Sequence, residues 1–318
     1  MDSKLEFILS LLTKKHMKTI KIILLGSLIS AQTIPHFDGD VAFSYLKKQC
    51  EFGPRYPGSK AHIDVKNYFI NFLENKADSL IVYEHKINHP YQENEITLYN
   101  ILAKYNLESK NRILLMAHWD TREIADKDEK KDNQNKPIVG ANDGASGVAI
   151  LMLLSEIFSD FPFDNIGVDL LFVDGEDMGR KGDLNNFCLG TKLFSKHANI
   201  LYYKLAICLD MVADKDPEFK MEYFSYIQAE KELKEIWSLA NSLGYGEFNH
   251  SLSQPIYDDH RALYVETGIP SIDIIDFDYP YWHTLDDTAD KCSAKTLNIV
   301  GNVMCEYLYR KEQGSYYE

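Results

Sequence analysis

Six residues of this 318-residue chain have the types and the order expected of a metal-dependent hydrolytic site. They are His118, Asp143, Glu176, Asp177, Asp210 and His283. Each lies at or just past the end of a strongly apolar run that is typical of a strand, and α/β folds gather such scattered residues at the carboxyl ends of their strands. Carboxylates and imidazoles suit zinc, and three protein ligands with an open position is the usual catalytic arrangement. The set therefore predicts a metal-dependent enzyme.

The adjacent carboxylates Glu176 and Asp177 are the most specific feature of this set. They follow the apolar run Val168–Val173 through the turn Asp174-Gly175. One carboxylate can bind a metal while its neighbour serves as general base. Two adjacent acidic residues in a loop are often only solvated surface. Here they follow a strand that is predicted to be buried, which favours the interpretation as base and ligand.

Two other candidate site residues could instead have a purely structural role. His118 ends the run 112–117 and would also fit a histidine hydrogen-bonded at a strand end, although Asp120 is spaced to orient its imidazole. Asp143 precedes Gly-Ala-Ser-Gly at a helix start, where an N-cap carboxylate is also common. Small residues on both sides let backbone and ion approach closely, which favours the ligand.

The elements that must position these residues alternate between helices and strands. In chain order, apolar periodicity predicts helices at 41–50 and 60–77, strands at 80–84, 96–105 and 112–117, a helix at 148–158, a strand at 168–173, a helix at 189–197, a strand at 205–209, helices at 229–243 and 259–266, an extended segment at 271–275 and a closing helix at 294–310. This order predicts a three-layer α/β/α sandwich around a mixed, mainly parallel central sheet. The short connections between residues 80 and 105 indicate an antiparallel edge.

The composition limits the classes of partner. A hydrophobic content of 45% is sufficient for a sizeable core. The net charge of −14 and the isoelectric point near 5.2 argue against nucleic acid or an anionic membrane surface as the main partner. The five cysteines are scattered, with neither zinc-finger spacing nor the density of a disulfide scaffold. Their odd number leaves at least one free thiol, and one disulfide remains open.

The first 31 residues have the features of a secretory signal. Lys18 and Lys21 form a basic region, Ile20–Ile29 an apolar core, and Ser30-Ala31 a small-residue cleavage site. We therefore expect Met17 to be the true start, residues 32–318 to form one catalytic domain, and the protein to be periplasmic or secreted. We expect no stable membrane insertion after signal cleavage, and a monomer. An amphipathic N-terminal helix is the alternative.

At these residues the chain resembles the zinc aminopeptidase-like superfamily, and within it the secreted bacterial glutaminyl-peptide cyclotransferases, or glutaminyl cyclases. The resemblance runs from about Phe52 to the C-terminus. It is carried by the ordered set Phe-Gly-Pro-Arg (52–55), Ala-His-Trp-Asp-Thr-Arg (117–122), Gly-Ala-Asn-Asp-Gly-Ala-Ser-Gly (140–147), Asp-Gly-Glu-Asp (174–177), Cys-Leu-Gly (188–190), Leu-Asp-Met-Val (209–212), Asp-Asp-His (258–260) and Trp-His-Thr (282–284).

The resemblance implies one Zn²⁺ held by Asp143, Asp177 and His283, with Glu176 as general base and acid. The implied substrates are peptides and proteins with an N-terminal glutamine, which the enzyme converts to pyroglutamate with release of ammonia.

The resemblance also implies roles around this centre. Asp258 and Asp210 would hold the hydrogen-bond network around the base and the leaving group, and Trp282 would wall the substrate pocket. Asp273 stands where the animal cyclases carry a histidine and is a candidate substrate contact. The second tryptophan that lines the pocket of the animal cyclases has no clear match in residues 178–187.

Two alternatives remain. A two-zinc aminopeptidase would hold a second metal on His118, Asp143 and Asp210, all of which are present. Trp282 and the segment Asp258-Asp-His260 favour the cyclase. A non-catalytic binding protein on the same scaffold would be expected to have lost the base or a ligand, and neither is lost.

Overall fold

The computed structural model describes residues 34–197 and 200–314. In chain order its helices are α1 (Gly39–Glu51), α2 (Lys60–Leu73), α3 (Ala145–Asp160), α4 (Leu189–Phe194), α5 (Tyr223–Ser242), α6 (Asp259–Thr267) and α7 (Ala294–Glu312). Its strands are β1 (Ser79–Asn88), β2 (Glu95–Tyr105), β3 (Arg112–His118), β4 (Gly167–Val173), β5 (Tyr203–Asp210), β6 (Phe219–Met221), β7 (Phe248–Leu252) and β8 (Ser271–Ile275). The predicted signal segment 1–31 lies outside the described residues.

The central sheet has six strands in the order β1-β2-β4-β3-β5-β8. Strands β4, β3, β5 and β8 run parallel, whereas β1, β2 and β4 pair antiparallel. The predicted mixed, mainly parallel sheet and its antiparallel edge are therefore confirmed. Strands β3 and β4 are buried along their whole length, as expected for parallel strands covered on both faces.

Helices cover both faces of the sheet. On one face α1, α2, α3 and α7 pack together, and Phe69 of α2 contacts Phe172 of β4 with ring centroids 5.3 Å apart. On the other face Leu114, Leu171 and Phe194 belong to one buried cluster below α4 and α6. The three layers of the predicted sandwich are thus present. The described residues contain no helix long and apolar enough to cross a membrane.

Helix α5 begins six residues before the predicted position 229. The carboxylate of Glu222 accepts hydrogen bonds from the amides of Phe224 (2.8 Å) and Ser225 (2.6 Å), and so caps an additional turn. The helix is kinked at Ala229, where φ is −151°. The periodicity therefore found only the part of the helix beyond the kink.

A small parallel sheet of β6 and β7 was not predicted. Each strand is only three to five residues long, too short for an alternation pattern to stand out from the flanking loops. This sheet borders a cavity beside the candidate site.

Helix α3 starts in close contact with the sheet, and Gly147 makes this approach possible. A Cβ at position 147 would lie 2.0 Å from the carbonyl oxygen of Leu209 and 2.9 Å from the Cβ of Ala117. Gly147→Ala is therefore expected to lower the free energy of unfolding by about 1–3 kcal/mol, as for other overpacked cores. Urea denaturation would measure the loss. Gly246→Ala is the control, since nothing lies within 4 Å of its Cβ position. Equal stability of the two variants would contradict the prediction.

Candidate metal centre and substrate pocket

The candidate residues meet at the carboxyl edge of the parallel strands. His118 and Asp210 are the last residues of β3 and β5. Glu176 and Asp177 follow β4 through a turn in which Gly175 has a φ of +69°. Asp143 precedes α3, whose N-cap is Gly144, so Asp143 does not occupy the capping position. The N-cap alternative for Asp143 is thereby excluded.

One group of metal-binding side chains consists of Asp143, Asp177 and His283. One candidate ligand atom from each lies within 4.8 Å of the others, and all three residues are buried. The Nε2 atom of His283 is 3.2 Å from Asp177 Oδ1 and 3.4 Å from Asp143 Oδ2. The resemblance predicted this trio, and the fold brings it together.

A second group shares Asp143. Here His118 Nε2 lies 3.1 Å from Asp143 Oδ1 and 3.2 Å from Asp210 Oδ1. Asp143 therefore stands between the two groups, with one oxygen toward each histidine. The arrangement has the donors for one cation or for two.

Charge and hydrogen bonding fit a bound cation. Asp143 Oδ2 and Asp177 Oδ2 are buried and have no hydrogen-bond partner, which is costly unless something else compensates them. Burial opposes a charge on His283, yet Asp177 and Asp126 raise its pKa to about 9. Carboxylates around His118 likewise raise its pKa well above the usual value, against the effect of burial. A divalent cation would replace these protons, and such oxygen and imidazole donors suit zinc.

Two further aspartates hold the ligand loops, and the sequence had indicated only one of them. Asp120 was expected to orient His118, whose Nδ1 is 3.6 Å away. The two carboxylate oxygens of Asp120 also accept hydrogen bonds from the backbone amides of Glu176 (3.1 Å) and Asp177 (3.2 Å). Asp287 accepts a hydrogen bond from the backbone amide of Asp143 at 3.1 Å. Nothing near Asp287 in the sequence signals this contact, which spans 144 positions.

Arg122 is a buried cation behind the trio. Its Nη1 donates to Asp177 Oδ1 at 2.8 Å and to the Asp177 carbonyl at 3.2 Å, and its Nε donates to Asp126 at 2.7 Å. Asp126 in turn lies 3.4 Å from Nδ1 of His283. Arg122 thus fixes the carboxylate of Asp177 and also the aspartate that faces His283.

Replacing Arg122 with methionine is expected to destabilise the protein by about 3–5 kcal/mol, because it leaves buried carboxylates without their counter-charge. Urea denaturation of metal-free protein would measure this loss without a contribution from the metal. Lys234→Met, which breaks an exposed ion pair with Glu230, should change stability little. A small loss in both variants would mean that Arg122 is dispensable for the fold.

The side chain of Glu176 is nine-tenths buried beside the trio. Burial, together with Asp177 and Asp258, raises its pKa well above the usual value, although His118 opposes the shift. The thiol of Cys188 lies 3.4 Å from Glu176 Oε1. A carboxyl group with a raised pKa beside a metal-binding trio suits a general base that must later return its proton.

A network of buried polar groups lies below Glu176. Asp258 Oδ2 accepts a hydrogen bond from the thiol of Cys208, 3.7 Å away. Asp273 is completely buried, with Oδ2 3.4 Å from Nδ1 of His260, whose Nε2 is 3.1 Å from Glu222.

Of this network, Asp258 lines the pocket above and Asp273 does not. The structure therefore corrects the expected substrate contact of Asp273. Its side chain lies on β8 beside His260 of α6, fully buried and outside the pocket lining.

The pocket above these residues has a volume of about 220 Å³. Its floor holds Glu176, the trio, Asp210 and Asp258, and its walls are mainly apolar. Trp282 forms one wall, as predicted, with its ring centroid 5.0 Å from that of Phe277 and 3.9 Å from that of His283.

Another wall comes from segment 178–187, in which no tryptophan was found. Leu184 and Phe187 line the pocket there. Lys192 holds this wall in place, because its Nζ donates to the carbonyls of Leu184 (3.2 Å), Asn185 (3.0 Å) and Phe187 (2.6 Å). Segment 178–187 contains no tryptophan that would have indicated a pocket wall, so only the tertiary structure reveals this wall.

Backbone strain accompanies these residues. Cys188, Met211 and His283 adopt positive φ angles of 55°, 47° and 57°, a region that side chains other than glycine rarely occupy. All three lie beside the donor groups or the base. Such strained residues cluster at functional sites, where the surrounding structure holds them.

Comparison with known proteins agrees with this geometry. The sequence profile of peptidase family M28 matches residues 100–308. The search of curated protein sequences found no match.

Among solved structures, a Bacteroides thetaiotaomicron glutaminyl cyclase bound to N-acetylhistamine is 35% identical, with a TM-score of 0.83 over 87% of this chain and 99% of that one. A Tannerella forsythia glutaminyl cyclase is 33% identical, with a TM-score of 0.82 over 86% and 99%. A zinc-dependent exopeptidase from Parabacteroides distasonis is 32% identical, with a TM-score of 0.83 over 87% and 99%. The chain belongs to peptidase family M28, within the zinc aminopeptidase-like superfamily.

Proposed function

We propose that this protein is a zinc-dependent glutaminyl-peptide cyclotransferase, which converts the N-terminal glutamine of peptides and proteins to pyroglutamate and releases ammonia. The observation that carries the proposal is the position of Glu176. It is a buried carboxyl group beside the trio Asp143, Asp177 and His283, at the floor of a pocket walled by Trp282. The similarity to solved glutaminyl cyclases supports the same activity.

The pocket suits a single residue at a chain terminus. Its volume of about 220 Å³ is below the roughly 300–1,000 Å³ of sites for larger ligands. Its apolar walls can pack against the methylene groups of a glutamine side chain. Carboxylates on the floor, Asp210 and Asp258 among them, attract the amino terminus.

Asp143, Asp177 and His283 would hold the zinc ion. When bound, zinc would polarise the γ-carboxamide and stabilise negative charge on its oxygen. Arg122 and Asp287 keep two of these ligands in place through the hydrogen bonds described above.

Glu176 moves the proton. It accepts a proton from the α-amine as the amine nitrogen attacks the γ-carbonyl carbon of its own side chain, and a carbon–nitrogen bond closes the five-membered lactam. It then donates that proton to the departing amide nitrogen, so that the old carbon–nitrogen bond breaks and ammonia leaves. Because nucleophile and electrophile share one residue, the walls mainly need to select the conformer in which they meet.

Location and assembly belong to the same proposal. The basic and apolar stretch at residues 18–29 supports export to the periplasm or the exterior. Peptides and proteins are the proposed partners, nucleic acid is not, and the enzyme is proposed to act as a monomer.

The test is ammonia release from glutaminyl dipeptides by purified protein, with cleavage of aminoacyl amides assayed in parallel. Ammonia release with a lactam product supports the cyclase. Cleavage of amides without ammonia from glutamine would overturn it in favour of an aminopeptidase, the second candidate. The specific observation behind that candidate is the complete second group, His118, Asp143 and Asp210.

The number of zinc ions separates the two candidates further. If the enzyme is a one-zinc cyclase, elemental analysis should give about one zinc per chain in the wild type and in His118→Ala, and His283→Ala should lose it. The reason is that His118 belongs only to the second group of donors. Two ions in the wild type and one in His118→Ala would favour the aminopeptidase.

A further inference from the structure

A second cavity adjoins the candidate substrate pocket. It has a volume of about 350 Å³ and shares the side chains of Ile256, Ile275 and Phe277 with the first. Its far side is built by the β6–β7 sheet and the segment that follows it, including Leu252, which is 48% exposed. The two cavities are therefore neighbours across one apolar wall, and together they form a site larger than one residue needs.

The geometry of a bound peptide requires such an extension. An N-terminal residue held over Glu176 continues into a chain that must leave by the mouth of the first pocket, because carboxylates close its floor. Leu184 and Phe187 form one side and Trp282 another. An extended chain advances about 3.3–3.6 Å per residue. Two residues therefore span about 7 Å, and we assign the third and fourth residues to the second cavity because it adjoins the first across the shared wall.

The lining of the second cavity is acidic. Lys220 lies 2.9 Å from Glu218 and 2.7 Å from Asp278. These three side chains leave one net negative charge at the cavity, and the exposed carboxylate of Asp278 can still reach a ligand, since its side chain is 74% exposed. The protein as a whole also carries a net charge of −14. A cationic side chain is therefore favoured there, and an anionic one is repelled.

We propose that this second cavity binds the third and fourth residues of the peptide substrate and selects for a cationic side chain at those positions. The proposal rests on the proposed cyclase function. It names peptides with a lysine or arginine shortly after the N-terminal glutamine as the preferred substrate class.

The test compares tetrapeptide amides that begin with Gln-Ala and carry lysine or glutamate at the third and fourth positions. The dipeptide amide Gln-Ala, which ends before the cavity, is the reference for each enzyme. At low ionic strength kcat/KM should be about five- to tenfold higher for the lysine peptide than for the glutamate peptide, as expected of partly exposed charge pairs. The difference should shrink with added salt.

The charge-reversed variant Glu218→Lys/Asp278→Lys should invert this preference. The matched control is Glu108→Lys/Asp160→Lys, which adds the same charge at exposed positions far from the site. Glu108 lies in the turn before β3 and Asp160 ends α3, each at the end opposite to the site. The control should keep the wild-type preference.

The outcomes are distinguishable. Equal rates on the two tetrapeptides, or an inverted preference in the remote control as well, would overturn the second cavity as a subsite, while the dipeptide still reports the cyclase. Absence of ammonia from all of the peptides, the dipeptide included, would instead overturn the proposed function.

Discussion

Replacing Glu176 with glutamine is expected to lower kcat for ammonia release by about a thousandfold, within the range of roughly 10²–10⁴ that general acid–base catalysis contributes. Glutamine keeps the size of the side chain but cannot take up the proton of the α-amine. The measurement is ammonia release from Gln-Ala amide, with substrate in excess of KM.

The structure offers a matched control for this variant. Glu222 is a buried glutamate that caps α5 and touches His260, but it does not line the pocket. Glu222→Gln should mainly lower the melting temperature and have little effect on kcat. Glu176→Gln should mainly lower kcat and have little effect on the melting temperature. If Glu176→Gln retained most of the wild-type kcat, another group would have to be the base, and the mechanism proposed above would be wrong.

Removal of the metal is expected to abolish activity and to lower stability as well. Asp143 Oδ2 and Asp177 Oδ2 are buried without hydrogen-bond partners, and carboxylates crowd His283. A cation that binds only the folded state stabilises it by about 4 kcal/mol when its free concentration is a thousand times Kd. Chelation should therefore lower the melting temperature, and added Zn²⁺ should restore both stability and ammonia release.

Asp143→Asn provides the control, because it removes the carboxylate that both donor groups share. The melting temperature of this variant should respond much less to chelator or to added zinc than that of the wild type. An unchanged melting temperature and full activity of the wild type after exhaustive chelation would contradict a zinc-dependent enzyme. A stability effect without an effect on activity would assign the metal to the fold alone.

The fold and its similarity to solved proteins do not decide between the cyclase and the aminopeptidase. Neighbours with the same fold include a glutaminyl cyclase and a zinc-dependent exopeptidase at similar TM-scores. Both donor groups are complete in this chain, so the ligands alone do not separate the activities. What favours the cyclase is the small pocket, with the ring of Trp282 3.9 Å from that of His283 and Phe277 next to it. A small pocket with mainly apolar walls suits a reaction within one residue, which needs no external water.

The amino-acid sequence by itself determined the class of fold and the identity of the central residues. Strands such as β3 and β4 are continuous apolar runs because the sheet buries both of their faces. The polar residues that follow such runs, His118 and Glu176 among them, stand out against that background. Chemistry at the ends of buried strands is therefore visible locally, without knowledge of the fold.

Only the tertiary structure decided which groups support that chemistry. Asp287 reaches Asp143 across 144 positions, and Asp273, expected at the substrate, lies outside the pocket lining beside His260. Leu184 and Phe187 form a wall that no motif marked. Such contacts depend on how helices and loops pack on the sheet, and a distance between side chains remote in sequence leaves no periodic signal in the chain. The residues at the strand ends were thus readable from the sequence, but the walls, the supporting network and the second cavity exist only where distant segments meet.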